Sequence, residues 1–350
     1  CLVGSEMCIR DRLTDTLKAL TLVTISGHIQ DSTGALLSNF NGSVFPTVYD
    51  KPKNITTLSN KGSSESPSYT FNLQKNVLFN GEASVNNGAF SFSFMVPKDI
   101  SYQFGIGKIS YYAADIEEDA NGSYENFVVG GFNANASSDN TAPAVDLYMN
   151  DERFVFGGLT NEDPDLFAIL FDENGINTVG NSVGHDITGI LDGDTQNPII
   201  LNNFYKANKD SYQKGTVVYP FNNLSEGKHN LRVKAWDVHN NASEAYTEFV
   251  VAGEAEVALK HVLNYPNPFT TNTQFYFEHN QANSTFEVQV QVFTVAGKLV
   301  KTISQFVNTN GFRSDPINWD GKDDFGDKIG RGVYIYRIKV ISADNGTDEK

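Results

Sequence analysis

Ala89-Phe90-Ser91-Phe92-Ser93-Phe94-Met95-Val96 puts three phenylalanines on one face and two serines on the other. Alternation at period two marks a strand with one buried and one solvated face, whereas a helix would scatter the rings around its axis. The neighbouring stretches repeat the pattern. Leu20–Ile29 alternates as a strand, Asp31-Ser32-Thr33-Gly34 turns it, and Gly42–Tyr49 returns. Tyr69–Leu73, Val77–Val85 and Lys108–Ala113 read as further strands. The polar stretch 50–68, with Pro52, Asn60, Gly62 and Pro67, reads as a long exposed loop. Strands at this spacing with no convincing amphipathic helix describe a sandwich, so 13–141 forms one β-sandwich module.

Downstream, the small polar residues 133–141 read as a linker, and Pro143 opens a second module, 142–252. Phe167–Asp172 is a buried strand there. Lys228–Asp237 alternates Leu231, Val233 and Ala235 against polar partners, Asn240-Asn241 turns, and Ala245–Val251 closes an immunoglobulin-like hairpin. The third module, 253–350, is introduced by Asn264-Tyr265-Pro266-Asn267-Pro268-Phe269. Two prolines in three residues fix φ, remove two donors and push Tyr265 and Asn267 towards extended conformations. The hexapeptide reads as a stiff extended connector between modules, offering Tyr265 and Phe269 for docking. Beyond it, Thr273–His279 and Phe286–Val292 are strands. Val295-Ala296-Gly297-Lys298 turns into Leu299–Ile303, and Ile317–Gly321 and Gly332–Ile338 follow. Trp236 and Trp319 sit in strand patterns and read as core anchors. The fold class is therefore all-β, three consecutive β-sandwich (immunoglobulin-like) modules.

The net charge of −16 lacks the basic footprint that nucleic acid demands. No apolar run approaches the roughly 18 residues of a membrane helix. The balance of 25 Phe and 15 Tyr against 3 Met suits pleated, half-buried strands. Cys1–Arg12 is similar at every position to a translated sequencing-library adapter, so 1–12 is expected to be an artefact and disordered. Both cysteines, Cys1 and Cys8, fall in it, which leaves no disulfide, thiolate metal site or cysteine nucleophile in the rest of the chain. The chain is then expected to be a piece of a longer protein.

Three patterns bear on chemistry. Gly180-Asn181-Ser182-Val183-Gly184, followed by His185-Asp186, fits the letters of a nucleophile elbow. An elbow needs a strand, a sharp turn and a helix, and Ile187–Leu191 is bounded by Gly189 and Gly193, so a glycine-rich loop is the plainer reading. Asp320, Asp323, Asp324 and Asp327 crowd one loop and could hold Ca²⁺ or line a solvated hairpin; their spacing is not that of an EF-hand. Asp186, Asp192 and Asp194 form a second such cluster. The six histidines are scattered, with His229 and His279 on or beside strands. No cofactor other than a possible Ca²⁺ is expected.

Asn264–Phe269, Val292–Val300 and Trp319-Asp320-Gly321-Lys322-Asp323 resemble the carboxy-terminal secretion domain of the type IX secretion system of Bacteroidetes. Trp319–Asp323 with Gly332–Ile338 is also similar to the immunoglobulin-like domain of flagellar hook-capping (FlgD-like) proteins. Phe45–Asp50, Phe92–Ile100 and Gly175–Gly180 with Gly184–Ile187 resemble the region after the peptidase domain of PorU-like sortases, in the gingipain-like cysteine peptidase family. The resemblance covers residues 13–350. It implies a parent enzyme at the outer-membrane cell surface that removes carboxy-terminal signals from exported cargo and joins the cargo to lipopolysaccharide. The implied partner is an outer-membrane shuttle protein of the PorV type, and cargo signal domains are met through the peptidase domain. The family's catalytic Cys and His would lie upstream, so no residue here inherits a catalytic role. The family's last strand is expected to be missing after Lys350, leaving an unpaired edge. The alternative is the carboxy-terminal part of a secreted cargo protein, an adhesin or hydrolase appendage.

Overall fold

The computed structural model describes residues 7–12, 16–60, 67–179, 184–253, 257–281, 284–309, 311–342 and 346–349. Among them the secondary structure is strand, apart from one 3₁₀ turn at Asn202–Phe204. The fold is all-β and built of sandwich modules.

In the first module, Leu22–Asp31 lies against Ala89–Met95, with Ile25 opposite Phe92. Phe90, Phe92 and Phe94 all point inward, and Phe79 stacks on Phe94 and Phe92 with ring centroids 5.0 and 5.6 Å away. The sheet curls until Lys108–Ala114 pairs with both Asp119–Tyr124 and Gly42–Tyr49. Met7–Arg12, expected to be disordered, is instead a strand, antiparallel to Leu22–Asp31 and touching Asp119–Tyr124 on its other side. It pairs an edge of Leu22–Asp31 that would otherwise leave its backbone groups open. The loop reading of 50–68 also needs correction, since Lys53–Thr56 pairs with Thr70–Leu73 as a two-stranded ribbon. Thr56 and Thr70 bond through their hydroxyls at 2.8 Å, a cross-strand pair that the polar composition hid.

The second module has two sheets. One runs Ala144–Met149, Asp165–Phe171, Lys214–Pro220, Tyr205–Ala207; the other Gly158–Thr160, Ala242–Val251, Gly227–Trp236, Thr188–Leu191, Ile199–Ile200. Its core is continuous with that of the first module, one cluster running from Leu17 through Phe94 to Phe249 and Val251. Polar contacts fix the join. Ser84 donates to both oxygens of Asp210, from its backbone N at 2.7 Å and its hydroxyl at 2.6 Å. Asp99, whose side chain is buried, accepts from Asn240 at 2.8 Å and Asn177 at 2.8 Å and meets His185 Nδ1 at 2.8 Å. Trp236 is not the core anchor expected: it is half-buried, with the His185 ring 4.3 Å from it and Lys234 Nζ 4.7 Å over it. Its place in the alternation, with Arg232 and Lys234 rather than with Leu231, Val233 and Ala235, puts it on the partly solvated face of the strand.

Charge-assisted hydrogen bonds are stronger than neutral ones, and an orphaned buried donor adds its desolvation cost. Asp99→Ala is therefore expected to lower the unfolding free energy by about 3 kcal/mol. Urea unfolding of the whole chain measures it, and a loss below about 0.5 kcal/mol, the usual surface-substitution range, would show that Asp99 does not pin the join.

The third module packs Leu259–Tyr265, Thr273–His279 and Ile317–Trp319 against Leu299–Asn308, Thr285–Thr294, Tyr334–Ser342 and Gly346–Glu349. Its separate core gathers Phe275, Phe277, Phe286, Val288, Val290, Val292, Trp319 and Ile338. Phe286 and the three valines are all inward, as strict alternation requires. The missing last strand is a correction. Gly346–Glu349 pairs with Lys339–Ser342, Arg337 Nη1 meets Glu349 Oε1 at 2.9 Å, and Leu259 N donates to Asp348 Oδ2 at 2.9 Å. The Lys339–Ser342 part of the edge expected to be open is thus occupied.

Candidate functional site

The hexapeptide does not join modules. Asn264 and Tyr265 end the Leu259–Tyr265 strand, and Pro266–Asn272 is a bend inside the third module leading to Thr273–His279. The Tyr265–Pro266 and Asn267–Pro268 peptides are both cis. The extended connector expected from two prolines assumed trans bonds. Thr273 Oγ1 donates to the Pro266 carbonyl at 2.8 Å, Asn264 Nδ2 reaches Thr273 Oγ1 at 3.1 Å, and Asn267 Nδ2 reaches Asn264 Oδ1 at 3.3 Å.

Phe269 folds back onto the Trp319 ring, centroids 5.4 Å apart, and Trp319 in turn stacks near Phe275 at 6.2 Å. Gly321 adopts φ +69°, and a Cβ there would come within 3.1 Å of Phe269. Tyr336 tilts against Phe275 at 4.9 Å. The three segments Asn264–Phe269, Trp319–Asp323 and Gly332–Ile338, distant in sequence, therefore meet at one place.

Tyr265 is 70 % exposed and lines an open cleft of about 460 Å³ between the second and third modules. Arg153 enters from the second module; Leu263, Tyr276, Arg313 and Asp315 line the rest. Arg313 lies 5.1 Å from the Tyr276 ring centroid, a cation–π geometry, and Arg153 pairs with Asp151 at 3.1 Å while staying half-exposed. Ser314 is held by two bonds to the Phe277 backbone, which fixes Arg313 beside it. Two guanidinium groups and two phenol rings make this an aromatic, arginine-lined surface, with Asp315 in the lining and Asp151 on Arg153 offsetting the positive charge. Tyr and Arg are the residues that anchor protein interfaces, because each presents a large rigid surface and directional donors. The cleft thus suits a protein partner that packs against tyrosine and arginine side chains.

The sequence-predicted acidic sets are placed apart from it. Asp323 Oδ1 accepts from the backbone of Phe325 and Asp327, Asp324 pairs with Lys301 at 3.4 Å, and Asp320 pairs with Lys322 at 3.3 Å. The carboxylates of Asp320, Asp323 and Asp324 each have a partner of their own, and with Asp327 they are not brought together as one ligand set among the described residues. Asp192 bonds His229 Nδ1 at 2.7 Å, Asp194 caps a turn at Gln196 and Asn197, and burial pushes the Asp186 carboxyl up. Ser182 lies outside the described residues, and the strand Thr188–Leu191, not a helix, follows His185.

Sequence reading missed Arg153 and Arg313, which are isolated basic residues with no motif around them. It also missed the one group that brings three metal-competent side chains together among the described residues, Asp139, Asp237 and His239. Its signals were present as a linker aspartate and a hairpin turn, but nothing in the spacing joined them. Asp172 adjoins this group. Burial pushes its carboxyl up to about 6, the negative charges of Asp237 and Asp139 add to the shift, and backbone hydrogen bonds from Asn174 and Gly175 oppose it.

No protein-family model and no curated protein matches the chain. Among solved structures, dimeric latent PorU from Porphyromonas gingivalis is 30% identical over 99% of this chain, with a TM-score of 0.43. This chain spans 33% of the length of that one. The tandem repeat from the extending region of a large adhesion protein is 14% identical, covering 98% of this chain and 72% of its own, with a TM-score of 0.19. A bacterial ice-binding adhesin is 11% identical, covering 98% and 94%, with a TM-score of 0.20.

Proposed function

We propose that the chain is the non-catalytic, carboxy-terminal region of a PorU-type sortase of the type IX secretion system, acting as scaffold and docking region at the outer-membrane surface. The observation that carries the reading is the meeting of Asn264–Phe269, Trp319–Asp323 and Gly332–Ile338 around Phe269, Trp319 and Gly321. These are the segments that resemble the type IX secretion domain, and Tyr265 from them lines the cleft; the sortase part of the reading rests on the resemblance of Phe45–Asp50, Phe92–Ile100 and Gly175–Gly180 with Gly184–Ile187. The first two modules supply the scaffold: Phe154 packs against their shared core, and its neighbour Arg153 lines the cleft together with Arg313. The cleft is the surface to which a PorV-type shuttle docks.

A cargo protein with the same terminal signal is the competing reading. The two differ in what precedes the sandwich modules in the gene. Sequencing the genomic locus is expected to show a gingipain-type domain with catalytic Cys and His in the same reading frame. A frame that runs instead into adhesin repeats or an unrelated hydrolase would replace the sortase reading by the cargo one.

A further inference from the structure

Asp139 lies in the linker that leaves the first module, and Asp237 and His239 lie in the turn between Gly227–Trp236 and Ala242–Val251. One ligand atom from each is within 4.8 Å of the other two. His239 Nδ1 is 3.9 Å from Asp139 Oδ2, too far for a hydrogen bond. Its side chain is 7% exposed, and Nδ1 is buried with no hydrogen-bond partner although it faces the two carboxylates. A buried imidazole nitrogen left without a partner is costly, and a ligand between it and the carboxylates would remove the cost.

The carboxylates are held in place for that role. Asp139 accepts from Thr141 N at 2.9 Å and Asn174 Nδ2 at 2.8 Å. Asp237 accepts from His239 N at 2.9 Å and from Asn241 N and Nδ2 at 2.7 Å each. Asn241 Nδ2 also reaches the Asp139 carbonyl at 3.2 Å, so linker and turn are already in register. A carboxylate oxygen has further lone pairs to give a cation. Such second contacts are what orient metal ligands.

We propose that Asp139, Asp237 and His239 form a divalent-cation site that fastens the inter-module linker to the turn of the second module. Two carboxylates with one imidazole match zinc or manganese, whereas calcium takes six to eight oxygens. The site is independent of the docking reading, since it lies at the other junction.

The test uses the whole chain, stripped with a chelator and titrated with Zn²⁺, Mn²⁺ or Ca²⁺ in a calorimeter while the melting midpoint is followed. The expected result is binding of one Zn²⁺ or Mn²⁺ per chain, with a raised midpoint that chelator reverses. Asp139→Asn and His239→Gln should each weaken binding by at least about tenfold. Spin-echo spectroscopy of the Mn²⁺-loaded unsubstituted chain should show coupling to one imidazole nitrogen, a readout that does not depend on either variant folding. Absence of stoichiometric binding, absence of the nitrogen coupling, or binding retained by folded His239→Gln would overturn the proposal. So would tighter binding of Ca²⁺ than of either other ion.

Discussion

Phe94→Ala should lower the unfolding free energy by about 3–5 kcal/mol, the cost of emptying a large aromatic site in a close-packed core. The ring is 1% exposed, it stacks on Phe79 at 5.0 Å and Phe92 at 6.4 Å, and it lies in the Ala89–Met95 strand at the centre of the first sheet. Because one core runs through the first two modules, the loss should appear as a shift of a single transition that near-ultraviolet and far-ultraviolet signals share. If only the first module melted early, with the second unchanged, the continuous core would not be behaving as one cooperative unit. Phe94→Leu keeps much of the volume and should recover over half of the loss.

The second large effect is a pH dependence carried by His279. Its imidazole ends the Thr273–His279 strand, packed 4.6 Å from Phe286 and 5.8 Å from Phe277. Burial pushes its pKa from the ordinary 6.5 down to about 4. Below pH 6.5 the unfolded chain takes up a proton that the folded chain refuses, so the unfolded state binds more protons and stability falls as pH falls. The contribution is intact above about pH 6.5 and lost by about pH 4, amounting to roughly 3 kcal/mol over the window. Carboxylates titrate in the same range, so the measurement is a difference: urea unfolding of the chain and of His279→Gln from pH 7 to 4. The variant should be less steep across the window, and parallel curves would show that the native imidazole protonates freely.

Where burial alternates along one segment, local pattern was enough to read the fold. Phe90, Phe92 and Phe94, and Phe286 with Val288, Val290 and Val292, announce their strands because a strand with one buried face must alternate. Pairing across distance was not legible. Lys53–Thr56 is polar and exposed, and only its partner Thr70–Leu73 makes it a strand. Gly346–Glu349 carries no apolar alternation, and only its pairing with Lys339–Ser342 makes it a strand. Composition cannot report cis peptides either, so two prolines spelled an extended connector where the chain bends back on itself.

The sites followed the same rule. Asp320, Asp323, Asp324 and Asp327 are neighbours in sequence, but the loop turns the carboxylates of Asp320, Asp323 and Asp324 towards different donors. Arg153 and Arg313, or Asp139 and His239, are brought together by the packing of whole modules. No short window contains both members of either pair. Trp319, with Phe269 and Phe275 on its ring, lies on the buried face of its strand; Trp236 alternates with Leu231, Val233 and Ala235 and so falls on the other face.

Binding of the whole chain to a purified PorV-type shuttle in detergent tests the docking claim most directly, with Tyr265→Ala/Arg313→Ala as the comparison. Tyr265 is exposed and Arg313 lines the cleft, so the double variant should keep its unfolding free energy within about 0.5 kcal/mol per substitution. Loss of two interface anchors should weaken binding by at least about 30-fold. Saturable binding by the unsubstituted chain, lost to that extent in the double variant, is the predicted result. No binding by the unsubstituted chain, or equal binding by both, would contradict it.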